Sequence, residues 1–520
     1  MKNIIYLIIL AALSIFINQY FASRGVFPID SFLIFDSAYN IISGNHPFKD
    51  YWLITGPFVD YIQSLFFLIF GISWTSYILH ASFINMAFTL FSFYFFLNIG
   101  LKNFYAFIYS LGIAILAYPS IGTPFIDHHS VIFCIMACFS VSLAILSKKK
   151  LFWILSPIFI TFSFFSKQIP SPYFMVLFAV IIFLYYYNTK NVKKNILLNL
   201  FFGGFISLFL VVGVFLINEI PVKNFLVQYI LYPFSLGEER IDKLNIDFKN
   251  LIIQFKYIYI VLIPLVISTF FLTKIKKKDL VKKDNFIVSL LFLGLVAILI
   301  YCQLLTKNQV LIFFLIPISA AFSHAYAIKY LNNKYLIYFI LAIFIYSTVK
   351  YHVRFNQHRK FIELANVDFS LAEDAALLDN RLRGLKWITP HYPDKPMDEI
   401  NFLIHAKNVL SQERKEKIIR RKLLTSLFNE LSIECPKSEW IFFIPSRMSN
   451  EWKGTNHLVK AIQTLFSEGI NKNNVNFIFS SWGDNFLEIK NTDYGELITF
   501  LPFVLSKPYL YRVFQCVDVV

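Results

Sequence analysis

The sequence is short of charged residues and of the motifs that mark the common soluble enzymes. Only 15% of its 520 residues are charged, whereas 57% are hydrophobic, which is not the composition of a soluble globular protein. It has no Walker loop, dinucleotide fingerprint, HExxH or CxxC pair, so nucleotide-driven and zinc-hydrolase chemistries have no sequence support. The composition predicts a polytopic membrane protein.

Cysteine is also scarce, with five residues and no metal-ligand spacing. Cys134 and Cys138 lie one helical turn apart in an apolar run, where packing is the simplest role. Cys435 and Cys516 stand in the polar C-terminal region, and we expect them to form a disulfide if that region faces an oxidising compartment. Peptide mapping without reductant would detect the linked pair, whereas two free thiols in the map would remove this prediction.

The formal net charge of +16 raises the question of nucleic-acid binding. The lysines cluster between apolar runs, however, as they do in the cytoplasmic loops of membrane proteins. We therefore expect no nucleic-acid partner and use these clusters to predict the membrane topology.

Eleven apolar runs predict membrane spans. They cover residues 3–22, 75–98, 104–119, 129–147, 151–167, 171–187, 195–217, 253–273, 286–306, 308–325 and 335–350. The run 57–70 is almost long enough to cross as well, but a crossing there would move most of the lysine-rich loops outside, against the positive-inside rule. We therefore predict eleven spans, with the N-terminus inside and 57–70 on the outer surface.

This topology predicts two units. Residues 1–350 form an all-α transmembrane module whose first outer loop carries juxtamembrane helices, and residues 351–520 form a small α/β domain on the outer side. In the second unit the patterning predicts two helices and three short strands. The helices are Ser370–Lys386 and Glu399–Phe428, and the strands are Trp440–Ile444, Val475–Phe479 and Leu510–Val520.

The stretch from Asp30 to Gly71 is polar and aromatic between strongly hydrophobic neighbours. The run from Ser31 to Ser43 reads as an amphipathic helix lying on a membrane surface, with Gly44 as its stop. Pro57 suits the first turn of a second short helix, which we expect to end near the last glycine of the stretch. Asp30 itself fits two roles equally well, an N-cap of the first helix or a catalytic carboxylate.

The order of residues in this stretch resembles a known pattern. The residues are Asp30, Ala38, Gly44, Pro47-Phe48-Lys49-Asp50-Tyr51, Gly56-Pro57 and Ile69-Phe70-Gly71. Their order and spacing resemble the first outer loop of the integral-membrane glycosyltransferases with the GT-C fold, which include protein O-mannosyltransferases, the lipid A aminoarabinose transferase and the Rgt-type lipopolysaccharide sugar transferases. The resemblance covers the membrane half and implies a GT-C-like catalytic module.

The resemblance also implies site residues. Asp30 would be the catalytic base, although many relatives carry an acidic pair here and this chain has Ser31 in the second place. Asp127, in the second outer loop, would orient the acceptor or tune the first acid by repulsion. With His128 and His129 it is also a candidate site for a divalent metal, since some GT-C members use one; the alternative is a helix cap followed by an interfacial histidine.

Cations at the outer membrane edge are candidates for binding the phosphate of a lipid-linked donor. Lys167, Arg240 and Lys307 are in such positions, although snorkelling alone would explain any one of them. In the first loop, the residues expected to contact the acceptor or to shape the loop are Asp36, Asp50, Tyr51 and Trp52.

These observations predict a glycosyltransferase that moves a sugar from a polyprenyl-phosphate carrier to lipopolysaccharide, a glycan or a protein on the outer face of the membrane. Activation stored in the carrier would make a nucleotide site in the chain unnecessary. The expected location is a bacterial inner membrane, with the active site and C-terminal domain in the periplasm. The alternatives are a lipid-linked oligosaccharide flippase or other transporter, and a noncatalytic scaffold.

Overall fold

The computed structural model describes residues 2–51, 53–188, 193–234, 241, 244, 246–273, 280–307, 311–412, 477–479 and 487–489. This part of the chain is mostly helical and has little sheet. In chain order the helices are α1 (Lys2–Ala22), α2 (Pro28–Ile42), α3 (Pro57–Phe70), α4 (Trp74–Asn98), α5 (Asn103–Leu116), α6 (Ile126–Ser147), α7 (Lys150–Ser166), α8 (Ser171–Asn188), α9 (Lys193–Ile217), α10 (Val222–Phe225), α11 (Lys256–Thr273), α12 (Leu280–Leu305), α13 (Leu315–Tyr326), α14 (Lys334–Tyr351) and α15 (Pro396–Gln412). The described residues also form two antiparallel pairs of short strands, β1 (Glu373–Asp374) with β2 (Lys386–Trp387) before α15, and β3 (Phe477–Phe479) with β4 (Leu487–Ile489) after it.

Seven of these helices are long and apolar enough to cross a membrane, as expected for an integral membrane protein. They are α1, α4, α6, α9, α11, α12 and α14. The other four predicted spans coincide with the shorter helices α5, α7, α8 and α13, so the count of eleven spans stays a prediction.

Helix α6 lies at the centre of the bundle, and almost all of its residues are buried. It packs against α4, α7 and α12. The contact with α7 is close because small side chains meet there: the Ser130 hydroxyl donates to the Ser163 carbonyl at 2.9 Å, and the Ser163 hydroxyl donates back to the Ser130 carbonyl at 2.7 Å. Cys134 and Cys138 are buried in this core, as their spacing predicted.

One end of the bundle is covered by protein. Residues 352–404 lie over the end at which α1 stops and α4 and α6 begin, called here the capped end. The connection between α1 and α2 joins this cover through the backbone: the N–H of Gly25 donates to the Lys386 carbonyl at 2.9 Å, and that of Val26 donates to the Ile388 carbonyl at 3.1 Å. The start of the first loop is therefore tied to strand β2.

Arg359 holds the cover onto the loop that follows α5. Its fully buried guanidinium donates from Nη1 to the Pro119 carbonyl at 2.7 Å and from Nη2 to the Ile121 carbonyl at 2.9 Å. Asn356 donates to the Ile115 carbonyl at 2.7 Å. Carbonyls at a helix C-terminus lack partners within the helix and favour positive charge. Burial, and after it the charge of Arg24, lowers the pKa of Arg359 to about 9, which still leaves it charged at neutral pH.

The helix predicted from Ser370 to Lys386 is wrong. This segment instead forms short 3₁₀ turns and the paired strands β1 and β2. The carboxylates of Asp368, Asp374 and Asp379 each accept a hydrogen bond from the backbone N–H two residues later. Such local bonds compete with the helical ladder, so three of them in twelve residues favour successive turns.

The other expectations for the C-terminal unit are met only in part. Helix α15 covers the beginning of the helix predicted over Glu399–Phe428, and β3 lies within the strand predicted at Val475–Phe479. The remaining predictions lie outside the described residues, namely the strands Trp440–Ile444 and Leu510–Val520 and the pair Cys435 and Cys516.

Helix α2 is covered by protein on several sides, so it is not the largely exposed surface helix that its amphipathic pattern predicted. Phe35 packs edge-on against Phe67 of α3 at 4.8 Å between ring centroids, and Phe32 stacks on Trp387 of the cover at 6.1 Å. The local signals are confirmed: Gly44 has a positive φ just after the helix, and α3 begins at Pro57.

A buried acid in the cover predicts a pH dependence. Oε2 of Glu399 accepts hydrogen bonds from Trp387 at 2.9 Å and Thr389 at 2.8 Å, but burial outweighs them and raises the pKa of Glu399 to about 7. Since the pKa in the folded state is above the unfolded value, the stability from this group is fully present below pH ~4.5 and is lost as the pH rises through ~7. The expected loss is about 3 kcal/mol.

We expect thermal unfolding of the detergent-purified protein, followed by tryptophan fluorescence, to show this fall for the wild type and a flatter profile for Glu399→Gln. Equal slopes for both proteins would contradict the assignment of this pH dependence to Glu399.

Candidate functional site

Buried polar side chains gather at the capped end, where α3 and α6 begin side by side. Gly56, the residue before α3, has a φ of 74°, and a Cβ there would be 2.4 Å from Cγ2 of Ile126. Only glycine permits this backbone conformation together with so close an approach. The first loop and the start of α6 are therefore held against each other.

An acid that the sequence analysis did not select lies in this region. Asp60, in the first turn of α3, is almost fully buried, and its Oδ2 accepts a hydrogen bond from the Ser37 hydroxyl of α2 at 2.7 Å. The same hydroxyl is 2.8 Å from the Tyr51 hydroxyl. Burial, and after it the charge of Asp60, raises the pKa of Tyr51 well above its ordinary value, so the phenol keeps its proton. This group of three polar side chains links α2, α3 and the loop between them.

The first-loop acids predicted from the sequence occupy three different settings. Asp36 is fully buried on α2, next to Ser37. Asp50 closes a turn, because its Oδ2 accepts the backbone N–H of His46 at 2.7 Å. Asp30 is half-buried in the first turn of α2, whose N-cap position is taken by Phe27. The capping role considered for Asp30 is therefore wrong.

Asp127 and Lys167 form a buried ion pair. Asp127 stands in the first turn of α6, where the helix dipole favours negative charge, and its Oδ1 is 2.6 Å from Nζ of Lys167. The lysine follows the end of α7, and its backbone carbonyl oxygen lies 3.2 Å from the Ser130 hydroxyl oxygen. The structure thus brings together a predicted acid and a predicted phosphate-binding cation, which neutralise each other.

The other predicted cations and the loop tryptophan are placed differently. Lys307 is exposed just after the end of α12. Arg240 and Trp52 lie outside the described residues. Of the three candidate phosphate-binding cations, Lys307 is therefore the one whose described side chain is accessible and whose described surroundings hold no ion pair.

His128 and His129 point in different directions. Nε2 of His128 is 3.4 Å from the Ser120 hydroxyl. His129 bonds through Nδ1 to the Tyr118 hydroxyl and through Nε2 to Nε2 of His80 at 3.0 Å. Within the described residues no group of three His, Cys, Asp or Glu side chains could hold a metal ion, so this part of the chain offers no fit for the predicted metal site.

His129 belongs instead to a chain of buried hydrogen bonds. Nδ1 of His80 is 3.0 Å from Oε1 of Gln63, and the latter can only accept. With Oε1 of Gln63 as the acceptor, His80 donates from Nδ1 and accepts at Nε2 from His129. Nδ1 of His129 lies near both the Tyr118 hydroxyl and, at 3.1 Å, the Phe125 carbonyl, so it can accept from the first or donate to the second. These hydrogen bonds run from the second loop through α6 and α4 to α3. All four side chains are buried.

Sequence reasoning missed several of these residues, and weak signals for them exist. Asp60, Gln63 and Ser64 repeat at helical spacing after Pro57, which marks a polar stripe on α3. His80 is the only histidine in the apolar run that forms α4. Neither signal identifies the hydrogen-bond partner of the residue, because that partner lies on another helix.

The ion pair predicts a coupled loss of stability. Replacing one partner, as in Asp127→Asn or Lys167→Met, leaves the other charge buried without its counterion, and we expect each change to cost about 3–5 kcal/mol of unfolding free energy. The double variant should cost clearly less than the sum. Thermal unfolding of the four proteins in one detergent measures this, and strictly additive costs would show that the two side chains do not interact.

No protein-family model matches the chain, and a search of curated proteins finds no significant match. The functional conclusion therefore depends on the chemistry of the chain's own residues.

Proposed function

We propose that the protein is a membrane glycosyltransferase, and that it transfers a sugar from a polyprenyl-phosphate donor to an acceptor at the capped end. The observation that carries the proposal is the first loop: Asp30 is half-buried at the start of α2, the same helix holds buried Asp36, and the neighbouring α3 holds buried Asp60. A carboxylate withdrawn from water, at the membrane edge, suits the removal of a proton from an acceptor. The GT-C-like order of motifs in the same loop supports this assignment.

In the proposed reaction Asp30 takes the proton of an acceptor hydroxyl or amide as that group attacks the anomeric carbon of the sugar. The bond from this carbon to the phosphate oxygen breaks, and the lipid phosphate leaves with the electron pair. Both reactants would be held in line at the capped end.

The leaving phosphate needs positive charge. Lys307 is exposed beyond α12 and is the more accessible candidate. Lys167 is engaged by Asp127, so a phosphate would have to compete with that carboxylate. Arg240 remains a candidate from its place in the sequence.

The proposed setting is a bacterial inner membrane that the chain crosses eleven times, with the capped end in the periplasm. The lysine-rich connections, such as Lys148-Lys149-Lys150, lie at the opposite end of α6 from Asp127, which agrees with a cytoplasmic location for them. The acceptor classes stay lipopolysaccharide, a glycan or a protein.

A proton-coupled transporter of lipid-linked sugars is the second candidate. The observation in its favour is the buried pair His80 and His129, because ionisable side chains within membrane helices often mark proton pathways. A transporter would move the labelled lipid between leaflets and would form no new glycosidic bond.

The decisive substitution is Asp30→Asn. Loss of a general base reduces rates by about 100-fold to 10,000-fold, so we expect sugar transfer from a radiolabelled polyprenyl-phosphate sugar pool to fall to that extent in membranes carrying the variant at wild-type expression. Asp368→Asn is the matched control, since this exposed carboxylate only closes a turn in the cover.

Transfer by Asp30→Asn at the rate of the control variant would contradict the catalytic role. No transfer by the wild type across several donors, together with movement of the labelled lipid between leaflets, would favour the transporter.

A further inference from the structure

The segment after α9 forms a short helix that lies beside the bundle. It comprises α10, the π-helical turns Leu226–Leu231 and a last helical turn to Phe234, and is called here the loop helix. The topology predicted from the sequence places this region in the outer connection between the spans 195–217 and 253–273. One face of this helix is hydrogen-bonded to the first loop, whereas the other exposes large apolar side chains, which water does not favour.

The inner face of the loop helix is bonded to the first loop. Nδ2 of Asn224 donates to the Phe48 carbonyl at 2.8 Å, and Oε1 of Gln228 accepts the N–H of Leu53 at 3.0 Å. Tyr229 is fully buried beneath the helix. These contacts fix the rotation of the loop helix about its axis and therefore fix which side chains face away.

The outward side chains are large and apolar. Because a π-helical turn holds more residues than an α-helical turn, the turns at Leu226–Leu231 bring the outward positions onto one face. These positions are Val222, Leu226, Val227, Leu231 and Phe234, each exposed by between 38% and 69%. A face of this size on a soluble protein would mark a binding surface.

This face continues the apolar surface of a membrane-length helix. Helix α9 buries little of its surface against the protein, and its last residues, Leu216 and Ile217, are 74% and 82% exposed. Only a short connection separates them from Val222. The loop helix carries one charged residue, Lys223, and no acid, a composition that suits lipid headgroups of zero or negative charge.

We propose that the loop helix lies in the plane of the membrane, in the leaflet at the capped end, with its apolar face among the lipid acyl chains. The occupant of this face is lipid because the face is continuous with the exposed surface of α9. The inner-face bonds then attach the first loop, through Phe48 and Leu53, to an element anchored in that leaflet. This assignment is independent of the proposed transferase activity.

Spin-label accessibility tests the proposal on the full chain in vesicles of phosphatidylethanolamine and phosphatidylglycerol. Nitroxides are attached at Leu226→Cys or Leu231→Cys, each in a background with Cys435 and Cys516 replaced by serine. Collisions with oxygen, which partitions into the acyl chains, are compared with collisions with a water-soluble nickel chelate. Either position alone suffices if the other variant does not fold.

Two references bracket the result. A label at Phe209→Cys, on the exposed surface of α9, reports lipid, and a label at Leu371→Cys, a matched exposed leucine of the cover, reports water. We expect Leu226 and Leu231 to resemble Phe209, with an oxygen-to-nickel ratio severalfold above that of Leu371. A ratio like that of Leu371 would overturn the proposal, as would exclusion of both reagents, which would mean that protein covers the face.

Discussion

A polar group that is carried into an apolar bundle must find a partner there, because no water remains to solvate it. The capped end is organised by this constraint. Asp127 is paired with Lys167 at 2.6 Å, and His129 is bonded to His80 at 3.0 Å. Each pair joins two helices, so the partners that satisfy the buried groups also determine which helix ends stand together.

The cover also holds these helix ends together at the capped end. Arg359 donates hydrogen bonds to carbonyls of the second loop. The Lys386 carbonyl of β2 accepts the backbone N–H of Gly25, in the segment before α2. Helix α2, which would otherwise face lipid or water, is thereby enclosed between α3 and Trp387. Enclosure withdraws Asp36 from solvent and leaves Asp30 half-buried. The two acids therefore have different environments, and the proposed reaction would use the less buried one.

Stability and proposed activity make opposing demands on the charged residues. A fully compensated ion pair such as Asp127 with Lys167 stabilises a rigid geometry but leaves little charge free for a ligand. Lys307 is exposed and Asp30 is only half-buried, so neither charge is withdrawn from solvent as fully as this pair. The loop helix adds a third element, since it connects the first loop to the apolar surface of α9 through Asn224 and Gln228.

Composition and local signals alone determined the membrane class and the positions of the long apolar helices. They also determined where the helices of the first loop begin and end, at Gly44, Pro57 and Gly71. Each of these features depends on the residues of one segment. Tertiary structure alone decided the pairings, which join residues 40, 49 and 240 positions apart in the chain. It also enclosed α2, which local amphipathicity placed at a surface. The turns at 368–382 were within reach of the sequence, since aspartate competes locally with helix. Partners on other helices were not, because their geometry depends on how the helices pack.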